Sequence, residues 1–468
     1  MNPIARFFAL APHLRAGEAQ GAVPPAKTLY RDYWRVACPT ALEGIFINLI
    51  LLADLVMVGS LGIAQAAAIG IVSQPKMLMQ MFGKALGTGV TAVTARRKGA
   101  RDYRSLNSCI KQSLALTVLV YAMLAGLGYT YREEILRLMG ANDEYIGYAL
   151  VYFTYLIGAL FFKAMSAILT AVQIGIGRTK IILQASVAGN LVNVCLNYVL
   201  IFGAFGFPRL EIKGAAIATI LGEAVIFLVL LYAVLRHRQE GVDLRGQGTV
   251  AFERKTLAPV LEVGTNSFLE QIFERMGLLV FARLIAELGT VAVGTHHYCI
   301  ILWDLYYYFG LGMSTASASF AGRKLGEKRR DLARLYMKAA QKSGLVISLA
   351  AAAAILLLRG TIFSAMVPDA DAVALGAGIL SIVAVLIVPQ TQAQVLAGTL
   401  RGAGDNRFIA QYSLFVSALL RSLIAYVLAF SLELGLYGIW FALLIDEVLK
   451  MLLTQYRIGK GIWLTKEL

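Results

Sequence analysis

Twelve stretches of largely apolar residues follow one another along this chain, each long enough to cross a hydrocarbon core ~30 Å thick as a helix. They lie near residues 36–61, 67–95, 107–131, 145–175, 181–203, 214–235, 257–287, 290–321, 333–358, 373–399, 408–431 and 436–456. A bilayer interior leaves no water to satisfy an open N–H or C=O, so segments of this length are expected to span as helices. The composition agrees, with 58% hydrophobic residues against 15% charged ones. The fold class read from this is all-α integral membrane, with twelve transmembrane helices. No small-residue cleavage site follows a short apolar core near the start, so the first helix is expected to stay as an anchor. Cys38, Cys109, Cys195 and Cys299 fall singly in or beside apolar runs. They read as small buried hydrophobes, since neither metal-site nor disulfide spacing is present.

The formal net charge is +15, and its placement separates a membrane role from nucleic-acid binding. Arg96, Arg97, Lys98, Arg101 and Arg104 crowd the connection after the second run, and "GRKLGEKRRDLAR" follows the eighth. The connections after the third and ninth runs, "YREEILRLMGANDEY" and "VPDADAV", lean acidic. Lys and Arg concentrate on the cytoplasmic side, so both termini are expected there, in a cell (inner) membrane. The basic loops are expected to meet anionic lipid headgroups, and no nucleic-acid partner is implied.

A repeat organises the twelve runs. At an offset of 227, Glu43 returns as Glu270, Leu61 and Gly62 as Leu288 and Gly289, Phe82 and Gly83 as Phe309 and Gly310, and Arg96 as Arg323. "GIGRTK" at 175–180 returns as "GAGDNR" at 402–407, and at an offset of 224 Gly214 and Glu223 return as Gly438 and Glu447. Six crossings per unit give both halves the same orientation, which makes a parallel repeat of the kind used by transporters. The expected organisation is a cytoplasmic N-terminal arm (1–34) lying along the membrane interface, an N-lobe (35–236), a cytoplasmic linker (237–256), a C-lobe (257–456) and a cytoplasmic tail (457–468).

Ionisable groups deep in a bilayer cost several kcal/mol unless they face a cavity or a partner, so each is a candidate site. Glu43 and Asp54, eleven residues apart, share one face of the first helix, as Glu270 and Glu274 do on the seventh. Carboxyl groups so placed can exchange a proton or a sodium ion for a cationic substrate. Asn190, Asn193 and Asn197 line one face of the fifth helix, where their amides either ligate a hard cation or join helices together. Asp304 sits among Trp303, Tyr306, Tyr307 and Tyr308, which either face a cation or pack in the core. His296 and His297 read as an interfacial polar face, and Met57, Met77, Met79 and Met81 as adaptable apolar wall or core. Asp446 and Glu447 are expected to satisfy Lys450 or other donors. Lys76, Lys84, Lys163 and Arg275 also fall inside apolar runs. They weigh against a simple cation exporter and leave an organic-anion exporter open.

The stretches "LLADLVMVGSLGIAQAAAIG" (51–70), "GNLVNVCLNYVLIFG" (189–203), "KGAAIAT" (213–219), "GTLRGAGDNRF" (398–408) and "GLYGIWFALLIDEVLKMLL" (435–453) together resemble the MATE (multidrug and toxic compound extrusion) transporters. The resemblance runs from about residue 35 to the end and rests on the order of the motifs. It implies two six-helix lobes around a central cavity, exchanging H+ or Na+ for small organic, usually cationic amphipathic compounds by alternating access. It implies no cofactor beyond the coupling ion, and a monomer is expected. Asp54 matches the family's first-span aspartate and Asn193 the asparagine that accompanies it, so these two would hold a sodium ion if one binds. The family aspartate one turn on is here Asn197. Glu274 falls where the NorM-like branch carries a cation-binding glutamate, and its tenth-span aspartate is replaced by Gln390. Asn266 stands where the second repeat usually has the proline that Pro39 keeps in the first. A flippase for lipid-linked saccharides is the related alternative. An enzyme is not expected, since the chain has no HExxH, Asp-rich diphosphate motif or Cys–His pair at catalytic spacing, and a scaffold would leave repeat-equivalent buried charges without a reason.

Overall fold

A computed structural model describes residues 3–14, 18–236, 241–366 and 369–467. Among them, long helices occupy all twelve apolar runs: α1 (Ala26–Gly59), α2 (Ile63–Gly99), α3 (Tyr103–Thr130), α4 (Ile146–Ile176), α5 (Lys180–Phe202), α6 (Glu211–Arg236), α7 (Arg254–Glu287), α8 (Thr290–Gly326), α9 (Arg330–Ser364), α10 (Ala370–Ala403), α11 (Asn406–Ser431) and α12 (Gly435–Gly459). The ends follow local chemistry. Asp102 caps α3 by accepting from the Ser105 N–H at 3.1 Å, and Arg96, Arg97 and Lys98 close α2 where the negative end of the helix dipole favours cations. Gly177 (φ 82°) and Gly203 (φ 74°) stop α4 and α5 in the left-handed region that a Cβ resists.

Seven of the helices, α3, α4, α5, α6, α9, α10 and α11, are apolar and long enough by composition to cross a membrane. The other five carry most of the ionisable residues singled out above: Glu43 and Asp54 on α1, Lys76 and Lys84 on α2, Glu270, Glu274 and Arg275 on α7, Asp304 on α8, and Asp446, Glu447 and Lys450 on α12, while Lys163 and Glu223 lie on α4 and α6. Departure from hydrocarbon composition and candidate chemistry therefore largely coincide.

The chain forms two compact units, Met1–Gly44 with Asn266–Leu468, and Ile45–Thr265. These differ from the sequence halves at equivalent places: the first half of α1 groups with the second repeat, and the linker and the start of α7 with the first. The physical reason is close approach. A Cβ on Gly312 of α8 would lie 2.4 Å from the backbone N of Ala41 in α1, and one on Gly89 of α2 would lie 2.2 Å from the carbonyl O of Val260 in α7. Small residues at such crossings let helix backbones meet where dispersion, not hydrophobicity, must hold them.

In the unit 45–265, Val72, Met79, Leu156, Leu160, Ile201 and Ala216 anchor one apolar cluster, and Val90, Ile110, Leu169, Val172 and Val260 another. The linker is strapped to the start of α3: Asn107 donates to the Gly241 carbonyl at 2.9 Å and accepts from the Asp243 N–H at 2.8 Å, and Lys111 reaches the Gly248 carbonyl at 3.0 Å. Buried polar side chains at the head of α3 thus hold backbone that has no ladder of its own.

In the other unit, Phe281, Phe363, Leu380, Leu386 and Trp440 centre the main core. The arm docks on α9. Leu10 is 2% exposed and packs with Leu29, Tyr33 and Leu335. Lys342 donates to the carbonyls of Phe7 (2.6 Å) and Ala9 (2.8 Å), and Arg334 pairs with Glu18 at 2.6 Å. Arm carbonyls that lack a ladder of their own thus find a cationic partner on α9. The tail is likewise packed, with Trp463 1% exposed.

Candidate functional site

In the unit 45–265, Asp54 leaves its helix toward α5. Its Oδ1 accepts a hydrogen bond from Asn197 Nδ2 at 2.9 Å, and the same amide reaches Asn193 Oδ1 at 3.3 Å. Asn193 and Asn197 are buried, at 7% and 3% exposure. One helical turn separates them, so they stack on one face. Asn197 Oδ1 is buried without a partner among the described residues. The set therefore presents a carboxylate and an open amide oxygen, an acceptor chemistry suited to a proton or a small hard cation. Asn190 is not brought to this group; its Nδ2 donates to the Ser186 carbonyl of its own helix at 2.8 Å. Lys163 of α4 meets Glu223 of α6 at 2.8 Å. Lys76 of α2 interacts electrostatically with Lys163, Glu223 and Asp54.

Glu43 lies half-buried in the stretch of α1 that belongs to the other unit. The face it shares with Asp54 is thus divided between two bodies.

That other unit holds a denser set of charges. Glu270 is 7% exposed and pairs with Arg401 of α10, which also donates to Ser314 Oγ at 3.3 Å. Lys450 of α12 lies 2.8 Å from Asp446, 3.4 Å from Glu447 and 3.6 Å from Glu274. Arg421 of α11 stands 3.6 Å from Asp446 and donates to the Glu274 carbonyl at 3.3 Å. Two π-helical stretches, Ser413–Leu420 and Val427–Ser431, flank Arg421, a winding that recurs where side chains are re-aimed. Ser417, on the first of them, donates to Asp446 at 3.4 Å.

Gln390 is fully buried with both amide atoms unpartnered among the described residues. Asp304 is half-buried and interacts electrostatically with Arg275. Its aromatic neighbours are packing residues: Trp303 lies 5.5 Å from Tyr307 and 6.4 Å from Trp440, and Tyr306 shares a 2.9 Å hydrogen bond with Thr391.

Sequence reasoning missed Arg401 and Arg421, the cations that complete this network. An arginine inside "LFVSALLRSLIAYVL" was signal enough, because a lone guanidinium in an apolar run needs a carboxylate.

Twelve long helices in two related sets, with paired ionisable groups buried among them, define a multi-pass membrane transporter. The family model for MatE matches residues 39–199 and 267–427, once per repeat, and the chain belongs to that family. It is 27% identical over 421 residues to a probable multidrug resistance protein NorM of Rhizobium meliloti (86% of this chain, 87% of the relative). It is 24% identical to the uncharacterized transporter YisQ of Bacillus subtilis, over 88% and 90% of the two chains. A crystal structure of MATE in the straight conformation superposes with a TM-score of 0.85 at 23% identity, over 92% of this chain and 96% of that one, and shares its fold.

Proposed function

We propose that this MatE-family transporter is a cation-coupled antiporter that exports small organic, cationic amphipathic compounds by alternating access. Asp54 is the coupling carboxylate, with Asn193 and Asn197 as its amide partners, and H+ or Na+ is the ion exchanged. The observation that carries the reading is a contrast. Asp54 is hydrogen-bonded by an amide, whereas Glu270, Glu274, Asp446 and Glu447 each lie within 4.0 Å of a lysine or arginine. A carboxylate held by a neutral donor can take and lose a cation without breaking an ion pair; one bound to a fixed cation cannot do so cheaply. Names of relatives such as the Rhizobium protein support multidrug export. The flippase alternative requires several free basic side chains to grip a pyrophosphate; Lys163, Arg401, Arg421 and Lys450 are engaged with carboxylates instead, and Lys76 alone does not make such a grip. The protein acts as a monomer in the inner membrane with both termini cytoplasmic.

The test is gradient-driven ethidium uptake into everted membrane vesicles. Asp54→Asn is expected to abolish it while the protein still inserts and melts normally. Wild-type uptake by that variant refutes the assignment.

A further inference from the structure

The unit 45–265 carries an electroneutral set of four buried or half-buried charges around the coupling carboxylate: Asp54 and Glu223 against Lys76 and Lys163. Their placement follows from packing. Met57, Met79, Leu160 and Phe161, each within one turn of Asp54, Lys76 or Lys163, belong to one apolar cluster. The charged groups one turn away therefore project around the same region of the unit. Lys163 is committed to Glu223 at 2.8 Å. Lys76 makes no hydrogen bond or ion pair of its own among the described residues, yet lies within electrostatic range of both carboxylates. Among the described residues, the amides of α5 and Tyr152 of α4 also face Asp54.

We propose that Lys76 is the specificity-determining residue of this site, a tethered ammonium that makes Asp54 answer to protons and refuse sodium. The proposal rests on the reading of Asp54 as the coupling carboxylate. Both ions add one positive charge, and they differ in what holds them. A proton forms a bond to one carboxylate oxygen and needs no cage. Sodium must exchange its water shell for several protein oxygens, a loss repaid only where the site carries net negative charge. Here the site is already neutralised. Both side-chain N–H groups of Asn197 are spent on Asp54 and Asn193, which fixes the amide plane. Asn197 brings a neutral amide, not a second negative charge, beside Asp54, and Lys76 offsets the charge of Asp54 itself. Sodium therefore has to enter against a resident cation.

Two measurements test this on the full chain. In proteoliposomes, wild-type ethidium transport is expected to follow a pH gradient and to ignore a sodium gradient at constant pH. In detergent, its melting temperature is expected to be indifferent to sodium. Lys76→Met should acquire a sodium response stronger by on the order of tenfold, because the site then carries one unit less positive charge. Its pH profile of transport should also differ from the wild type's, because the carboxylate loses a neighbouring cation. Lys76→Arg, which keeps the charge, should retain the proton response. A wild-type sodium-driven flux, or a sodium-induced rise in melting temperature that Asp54→Asn removes, overturns the proposal. So does a Lys76→Met protein whose ion responses match the wild type. If Asp54→Asn leaves ion-driven transport intact, the underlying assignment of Asp54 fails instead.

Discussion

Removing Lys450 tests whether the charges in the unit containing α12 are structural. Its side chain is 9% exposed, and its ammonium holds Asp446 (0% exposed) at 2.8 Å and Glu447 (9%) at 3.4 Å. Glu274 at 3.6 Å is 38% exposed, so water screens that contact to about 0–1 kcal/mol. In Lys450→Met, Asp446 keeps the longer contact to Arg421 and the Ser417 hydrogen bond, and Glu447 keeps no cation within 4.0 Å among the described residues. Breaking a buried pair by deleting one member costs roughly 3–5 kcal/mol, because the other charge stays uncompensated. Most of that should return in Lys450→Met/Asp446→Asn, which deletes a stranded charge as well. Denaturant unfolding in detergent, read by tryptophan fluorescence, measures both costs. Lys163→Met is the comparison: its ammonium is 43% exposed and the expected cost is about 1 kcal/mol. A Lys450→Met cost below about 1 kcal/mol, or a double variant worse than the single, refutes the argument.

Two further outcomes are specific to this fold. Gly312→Val should destabilise by at least about 1–3 kcal/mol, since its nearest obstacles are backbone atoms of Thr40 and Ala41 that cannot yield, whereas Gly360→Ala, with open space around it, should stay within about 1 kcal/mol of wild type by the same unfolding assay. The docked arm should loosen in acid. Burial, then Lys342 and Lys338, hold His13 below its ordinary value, so the stability its neutral form contributes is present above about 6.5 and is lost as pH falls through the lower folded value. Limited proteolysis of the arm should accelerate below pH 6, and His13→Ala should flatten that dependence.

The spans were legible because a bilayer imposes one length and one composition, and each apolar run became one long helix. The repeat was legible for a related reason: Gly62 and Gly289 both sit at positive φ ahead of the second helix of their set (φ 114° and 94°), a constraint that sequence carries directly. The grouping of the first halves of α1 and α7 was not legible, because the close approaches at Gly312 and Gly89 depend on distant partners. Among site residues, the Asp54–Asn197 contact lay within reach of motif and periodicity. Asn190 and Asn197 share a face by spacing, yet only Asn197 meets the carboxylate, a distinction set by where α1 crosses α5. The pairing of Glu270 with Arg401 links residues 131 apart, which no local pattern encodes.

The measurement that bears most directly on the account is the affinity of the purified protein for ethidium across a grid of pH and sodium concentrations, in wild type and Asp54→Asn. Exchange at Asp54 predicts wild-type affinity that weakens as the coupling ion rises and a variant whose affinity is flat. Equal ion dependence in the two proteins would contradict it.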